Sequence, residues 1–212
     1  MLKYEDYKNS LEIHHRNLTE IAKKHNSFEG NVYTFNGVDT IDFMHIKMKN
    51  LFNIAQLCSN SVLEIGFCAG NSALLFLVAN PNIKFYAVDL MAHKNTVRES
   101  VDYLNMHFGN RITLIEGDSL DIIPSLDRKL GKEISLYHID GWHALEGIQA
   151  DLKNCYELAK HGAFVIADDS NNECIKNEYD KYVMKNKIYN RPDLVLEKPP
   201  AWPHEIGQFI KL

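Results

Sequence analysis

Positive charge is in short supply: 23 lysines and arginines face 28 aspartates and glutamates, for a net charge of -5. Such a balance leaves no surplus to neutralise a phosphate backbone, so a nucleic-acid partner is not expected. Long apolar runs are missing as well. No stretch approaches the ~20 consecutive apolar residues that span a bilayer, and the opening MLKYEDYKNS has no apolar segment of the kind a secretory signal needs. These absences point to a chain in a reducing cytoplasm, neither membrane-inserted nor secreted. The four cysteines, Cys58, Cys68, Cys155 and Cys174, include no C-x-x-C pair and stand in apolar or helical surroundings. That favours buried free thiols over a zinc site or a disulfide framework. There is no internal repeat and no low-complexity tract.

What is present is a globular composition. With 212 residues, 45% of them hydrophobic, the chain can bury a sizeable core and reads as a single domain over 1–212. Residues 1–57 form a helical N-terminal segment. Leu11, Ile13, Leu18 and Ile21 recur at helical spacing before Gly30, predicting one or two helices and a turn that act as a lid or an edge. A second amphipathic helix is expected from Asp42 to Leu57. From residue 58 onward short apolar runs alternate with helical ones: strands at Val62 to Ile65, Lys84 to Val88, Ile112 to Ile115, Ile134 to Ile139 and Phe164 to Ala167, each followed by a helix. That order implies βαβ crossovers and a doubly wound α/β fold. After Asp169 come a polar helix at about 173–185, a strand Leu194 to Glu197, a proline-rich turn Pro199 to Pro203 and a strand Gly207 to Leu212. So short a final connection makes the last strand antiparallel. The expected class is therefore α/β, a mostly parallel seven-stranded sheet with its last strand antiparallel.

In such sheets ligands sit beyond the carboxyl ends of the strands. The first strand ends in Glu64-Ile65-Gly66-Phe67-Cys68-Ala69-Gly70-Asn71-Ser72. Gly66 and Gly70 allow close backbone approach, and the helix beginning near Ser72 offers free N–H groups. A dinucleotide fingerprint would want glycine where Cys68 stands, and a P-loop would want lysine where Asn71 stands. Glu64 instead suits a cationic ligand. The second strand ends at Asp89, where a carboxylate accepts both hydroxyls of a ribose. The third runs into Asp118 and Ser119, placed to meet an exocyclic amine and a ring. Each acid alone is as easily a helix cap; on successive strand ends they suggest adenosine carrying a cation.

The fourth and fifth strands end in Asp140 and in Asp168-Asp169. Three carboxylates on one rim repel unless protonated or neutralised. A hard divalent cation would resolve this, Mg²⁺ or Ca²⁺ with Mn²⁺ tolerated; the other reading is that one aspartate caps a helix and another is solvated. His143 carries an imidazole suited to taking a proton near neutrality, or else it orients the next helix. His138 reads more as a satisfied core histidine.

With these residues in view, the stretch from about 61 to 169 resembles the class I S-adenosylmethionine-dependent methyltransferases. The motif V-L-E-I-G-F-C-A-G-N-S-A looks like that of small-molecule O-methyltransferases of the caffeoyl-CoA and catechol type. His138-Ile139-Asp140-Gly141-Trp142-His143 is similar to a related sugar- and polyketide-directed branch. The resemblance implies S-adenosylmethionine with its amino-acid end at Glu64 to Gly70, its ribose at Asp89, and its adenine at Asp118, Ser119 and Trp142. It implies a metal on Asp140, Asp168 and Asp169, where the family has Asn at the last position, and a base at His143 in place of Lys. Phe35-Asn36-Gly37 is the candidate for the methionine carboxylate. The expected activity is methyl transfer to a small hydroxylated acceptor in a pocket closed by the N-terminal segment and by the turn carrying Trp202 and His204. A homodimer is compatible with this. Two alternatives stand beside it: a cofactor-binding module without turnover, and an NAD- or nucleotide-dependent oxidoreductase, which Cys68 disfavours.

Overall fold

The computed structural model describes residues 2–27, 34–35, 38–39, 41–199 and 201–211, with the backbone alone given at 34–35, 38–39 and 41–43. The expected strand and helix alternation is realised. Helix α1 (Tyr4–Lys24) is followed by a short antiparallel pair, β1 (Thr34–Phe35) and β2 (Val38–Asp39), and by α2 (Ile41–Ala55). The α/β core then runs β3 (Ser61–Ile65), α3 (Asn71–Ala79), β4 (Lys84–Asp89), α4 (Lys94–Phe108), β5 (Ile112–Glu116), α5 (Ser119–Ser125), α6 (Arg128–Glu133), β6 (Ile134–Ile139), α7 (Leu145–Leu158) and β7 (Phe164–Ala167). It finishes with α8 (Glu173–Met184), β8 (Ile188–Asn190) and β9 (Glu205–Phe209).

The seven-stranded sheet has the order β5-β4-β3-β6-β7-β9-β8. β5 through β7 are mutually parallel and β9 is antiparallel to both its neighbours. The central strands β3 and β6 are buried along their whole length, as parallel strands covered by helices on both faces must be. Helix α3 is apolar nearly all round because it is enclosed on every side, with Leu74, Leu75, Phe76 and Leu77 all buried. Chain order reverses between β3 and β6, one side running to β4 and β5 and the other to β7. The crevice at their carboxyl ends is thus the topological switch point.

Two sequence expectations need correction. Residues 195–197 are not a strand: after β8 the chain makes a 3₁₀ turn, Pro192–Leu194. The next segment satisfies its backbone on a helix side chain, Asn50 Nδ2 donating to Glu197 O at 2.9 Å and Leu196 N donating to Asn50 Oδ1 at 3.1 Å. The strand of this region is β8, a few residues earlier. The last strand begins at Glu205, ahead of the expected Gly207. Before residue 28 the chain forms the single helix α1, and Gly30 lies outside the described residues, as do Asn36, Gly37 and the side chain of Phe35. All four cysteines are free thiols. No helix among the described residues is long and apolar enough to cross a membrane.

Candidate active site

Backbone hydrogen bonds bring the tips of the parallel strands onto one rim. Gly117 N donates to Asp89 O, Gly66 N to Val88 O, Asp140 N to Ile65 O and Asp168 N to Ile139 O, all at 2.9–3.0 Å. At the centre, Gly66 has φ +88, and a Cβ there would overlap the Asp140 carbonyl oxygen. The glycine is thus required twice, by its left-handed backbone and by contact with the neighbouring tip. Gly70, at φ +77, caps α3, and a Cβ there would lie 2.6 Å from the Phe67 ring. Helix α1 closes onto this loop: its buried His15 Nδ1 lies 2.7 Å from Oδ1 of Asn71, the first residue of α3.

Around the loop the expected cofactor residues fall into two groups. Asp89 closes β4 and is 9% exposed, its Oδ2 accepting from Cys68 N at 2.9 Å and its Oδ1 from Met91 N at 2.7 Å. Each oxygen retains a lone pair for a further donor. Trp142 presents its ring to solvent, 61% exposed, with its edge against Gly147. Glu64, expected to meet the ligand, faces the core under the loop, and its Oε2 has no hydrogen-bond partner among the described residues. It is fully buried and engaged by Ser72 Oγ and by His138 Nδ1 at 2.8 Å. Burial raises its pKa, against the opposing pull of His138 and Ser72. Glu64 and Ser72 therefore anchor the loop from beneath. Asp118 is exposed and caps α5 through Leu120 N at 2.9 Å, the helix-cap reading that spacing left open. Ser119 donates to Asp151 Oδ1 at 2.7 Å.

Nothing in the sequence assigned a role to Asp151. It is 1% exposed, and its other oxygen lies within 3.2 Å of where a Cβ at Gly141 would stand. It thereby links the Ser119 turn to the Asp140-Gly141 turn. Burial pushes its carboxyl up to about 6, outweighing the Ser119 hydrogen bond. A raised carboxyl favours folding at low pH and loses that contribution as pH rises through the folded value. Asp151→Asn keeps an acceptor for Ser119 without the buried charge. It should raise the melting temperature by the equivalent of about 1–3 kcal/mol at about pH 7.5 and by little at about pH 4. A pH series of thermal melts checks this, and a gain independent of pH would remove the explanation.

Across the switch point the carboxylates meet a cation that the sequence reading missed, Lys47 of α2. Its Nζ lies 2.8 Å from Asp168 Oδ1 and 3.3 Å from Asp169 Oδ1. Burial alone would lower the Lys47 pKa, but Asp168, Asp140 and Asp169 together hold it above the ordinary lysine value. Asp168, 1% exposed, also receives His138 Nε2 at 3.1 Å on Oδ2 and the Asp169 N–H at 2.8 Å on Oδ1. Burial would raise its pKa, yet Lys47 and His138 keep it ionised, below the usual carboxylate range. His138 is buried with both nitrogens partnered. Burial opposes its charge, but Asp168 and Glu64 lift its pKa to about 10. A chain of hydrogen bonds and ion pairs thus runs beneath the rim from Ser72 through Glu64, His138 and Asp168 to Lys47.

Asp140, His143 and Asp169 open toward solvent above this chain. His143 Nε2 is 3.4 Å from Asp140 Oδ1, and Nδ1 is 3.7 Å from Asp169 Oδ2. The Asp140 hydrogen bond raises the imidazole pKa against the effect of burial. Asp169 has φ +53, a left-handed conformation that Asp and Asn tolerate better than most residues. Two sets of donor atoms lie mutually within 4.8 Å among the described residues, His138-Asp140-Asp168 and Asp140-His143-Asp169. The expected trio of Asp140, Asp168 and Asp169 is not one of them.

Next to Asp169, Ser170 N donates to Pro203 O at 2.7 Å, drawing the C-terminal turn against the rim. A cleft of about 640 Å³ opens there, lined by Ser170, Asn171, Lys198, Trp202, Pro203 and Glu205. His204 is 3% exposed with neither ring nitrogen hydrogen-bonded among the described residues. Burial pushes its imidazole down to about 4.

Residues 63–170, from the heart of β3 to the rim beyond β7, match the Methyltransf_24 family, a methyltransferase domain. The chain belongs to this family. The methyltransferase fold is also that of solved structures. The O-methyltransferase TomG from Streptomyces achromogenes, in complex with SAM, is 13% identical with a TM-score of 0.68, covering 93% of this chain and 90% of its own. An O-methyltransferase from Bacillus cereus, in complex with SAH, is 14% identical with a TM-score of 0.64, covering 92% and 90%. The SAH-bound methyltransferase PaMTH1 from Podospora anserina is 14% identical with a TM-score of 0.64, covering 100% and 98%. At such identities the likeness is one of fold. No curated protein sequence matches the chain. Family membership places the chain among methyltransferases and away from the oxidoreductase alternative.

Proposed function

We propose that this methyltransferase uses S-adenosylmethionine to methylate an oxygen of a small hydroxylated molecule. The observation that carries the reading is the single rim on which the Gly66 to Gly70 cradle and Asp89 stand beside Asp140, His143 and Asp169. The lining fits the cofactor, because both oxygens of Asp89 keep a lone pair to spare and Glu64 Oε2, buried under the loop, has no hydrogen-bond partner among the described residues. When bound, S-adenosylmethionine supplies an activated methyl group to the acceptor oxygen. Gly66 to Gly70 would receive the amino-acid end, Asp89 would accept the ribose hydroxyls, and the exposed face of Trp142 would lie on the adenine. Asp118 and Ser119, already engaged as a cap and with Asp151, would border the ring and contribute shape.

On the acceptor side, His143 would take the hydroxyl proton, with Asp140 and Asp169 orienting the ring and stabilising its protonated form. The cleft beside Trp202 would hold the acceptor. Holding two reactants in register is worth ~7–11 kcal/mol in well-oriented systems, so no covalent enzyme group is needed. The divalent ion expected on Asp140, Asp168 and Asp169 does not fit that set, because Lys47, His138 and a backbone amide already engage both oxygens of Asp168. No step is assigned to a metal.

Calorimetric titration with S-adenosylhomocysteine tests the reading. The native chain should bind it, and Asp89→Ala should weaken binding about tenfold or more, each tenfold being 1.4 kcal/mol. Equal affinities would remove the ribose assignment, and no binding by the native chain would remove the cofactor.

A further inference from the structure

Building on the reading of this rim as a methyl-transfer site, we infer that the Lys47 ammonium, held between Asp168 and Asp169, is the chain's resident cation in place of a divalent ion, so that transfer proceeds without a divalent metal. Lys47 lies on the buried face of α2, with Met48, Leu51 and Ile54 at 2% exposure, 3% and 1%. A buried ammonium is unfavourable unless it is paired and hydrogen-bonded. Nothing in helix formation calls for one there, since an apolar residue would continue the stripe.

The pairing is close and its attachment firm. Nζ reaches Asp168 Oδ1 at 2.8 Å and Asp169 Oδ1 at 3.3 Å, spanning the two adjacent carboxylates with one positive charge. One helical turn further on, Asn50 fixes α2 to residues 196 and 197 through both its amide atoms, which sets the height at which Lys47 enters the rim. A divalent ion on Asp168 would have to displace Lys47 and would meet an oxygen already accepting from the Asp169 N–H. Lys47 is a positioning residue here. It holds Asp168 and Asp169 in place at low net charge, leaving the outward faces of Asp140, His143 and Asp169 to the acceptor.

Removing the lysine should therefore create a metal site. Native protein, Lys47→Met, Lys47→Arg and the double variant Lys47→Met with Asp168→Asn would be titrated with Mn²⁺, free ion being read by electron paramagnetic resonance and folding by circular dichroism. The native chain and Lys47→Arg should take up no stoichiometric Mn²⁺ below ~1 mM, the weak end of protein sites for hard cations. Lys47→Met should gain one site at least about tenfold tighter, lost again in the double variant. Two results overturn the inference: stoichiometric Mn²⁺ on the native chain below that concentration, or a folded Lys47→Met that gains none. If Lys47→Met does not fold, the native chain and Lys47→Arg still decide. S-adenosylhomocysteine binding by the same samples reports separately on the methyltransferase reading, so the two ideas fail independently.

Discussion

Gly66→Ala is expected to abolish measurable S-adenosylhomocysteine binding and to lower stability by several kcal/mol. Two separate penalties add. At φ +88 an L-residue adopts a left-handed backbone, at about 1–2 kcal/mol. The methyl group would also overlap the Asp140 carbonyl oxygen and lie 2.8 Å from its carbon. Both are backbone atoms, held by Asp140 N donating to Ile65 O, so the clash cannot be relieved by a side-chain rotation. The loop must shift away from the rim, and with it the cradle. Gly109 supplies the control, since it has φ +77 and nothing within 4 Å of an added Cβ. Gly109→Ala should show the backbone penalty alone, with cofactor affinity unchanged. Denaturant melts and calorimetry on both variants separate the two contributions. Equal behaviour of the pair would show that the Gly66 and Asp140 tips are not in contact in solution.

Replacing Asp168 with alanine should destabilise the chain by about 3–5 kcal/mol, the usual result of removing one partner from a buried ion pair. Two groups are left exposed to the consequence. Lys47 loses its closest anion, and His138 loses the acceptor on Nε2. Both lie deep under the rim, where water cannot replace the lost partner. Against a total stability of about 5–15 kcal/mol for an ordinary domain, such a loss brings the protein near its unfolding threshold. Combining Asp168→Ala with Lys47→Met should recover part of it, because the uncompensated ammonium goes too, and the cycle isolates the coupling between them. Urea denaturation of the four proteins measures this. A single-variant loss below about 1 kcal/mol would mean that the pair is solvated as surface pairs are.

Much of the site was legible before any geometry. The loop Glu64 to Ser72, Asp89 and the aspartates after the later strands were located by one rule, that ligands gather at the carboxyl ends of a parallel sheet. What the rule could not give was direction. Asp89 ends a strand and Glu64 nearly does, yet Glu64 points into the core toward His138, while Asp89 turns to the loop amides of Cys68 and Met91. Asp118 proved to be a helix cap, and residues 196 and 197 bond to the Asn50 side chain in place of a strand. Lys47 did leave a trace, a lone charge at helical spacing from Leu51 and Ile54, but nothing local says which anion answers it.

The sequence by itself determined the doubly wound sheet and the loops on its working edge, because alternation of short apolar runs with amphipathic ones is a local property of the chain. The tertiary structure alone decided how the charges are shared. His138 meets Glu64 across 74 positions, and Lys47 meets Asp169 across 122. Periodicity carries no record of pairings at such separations. They arise when α2 packs over the rim and excludes water, and in that dry setting each buried charge must find its counterpart.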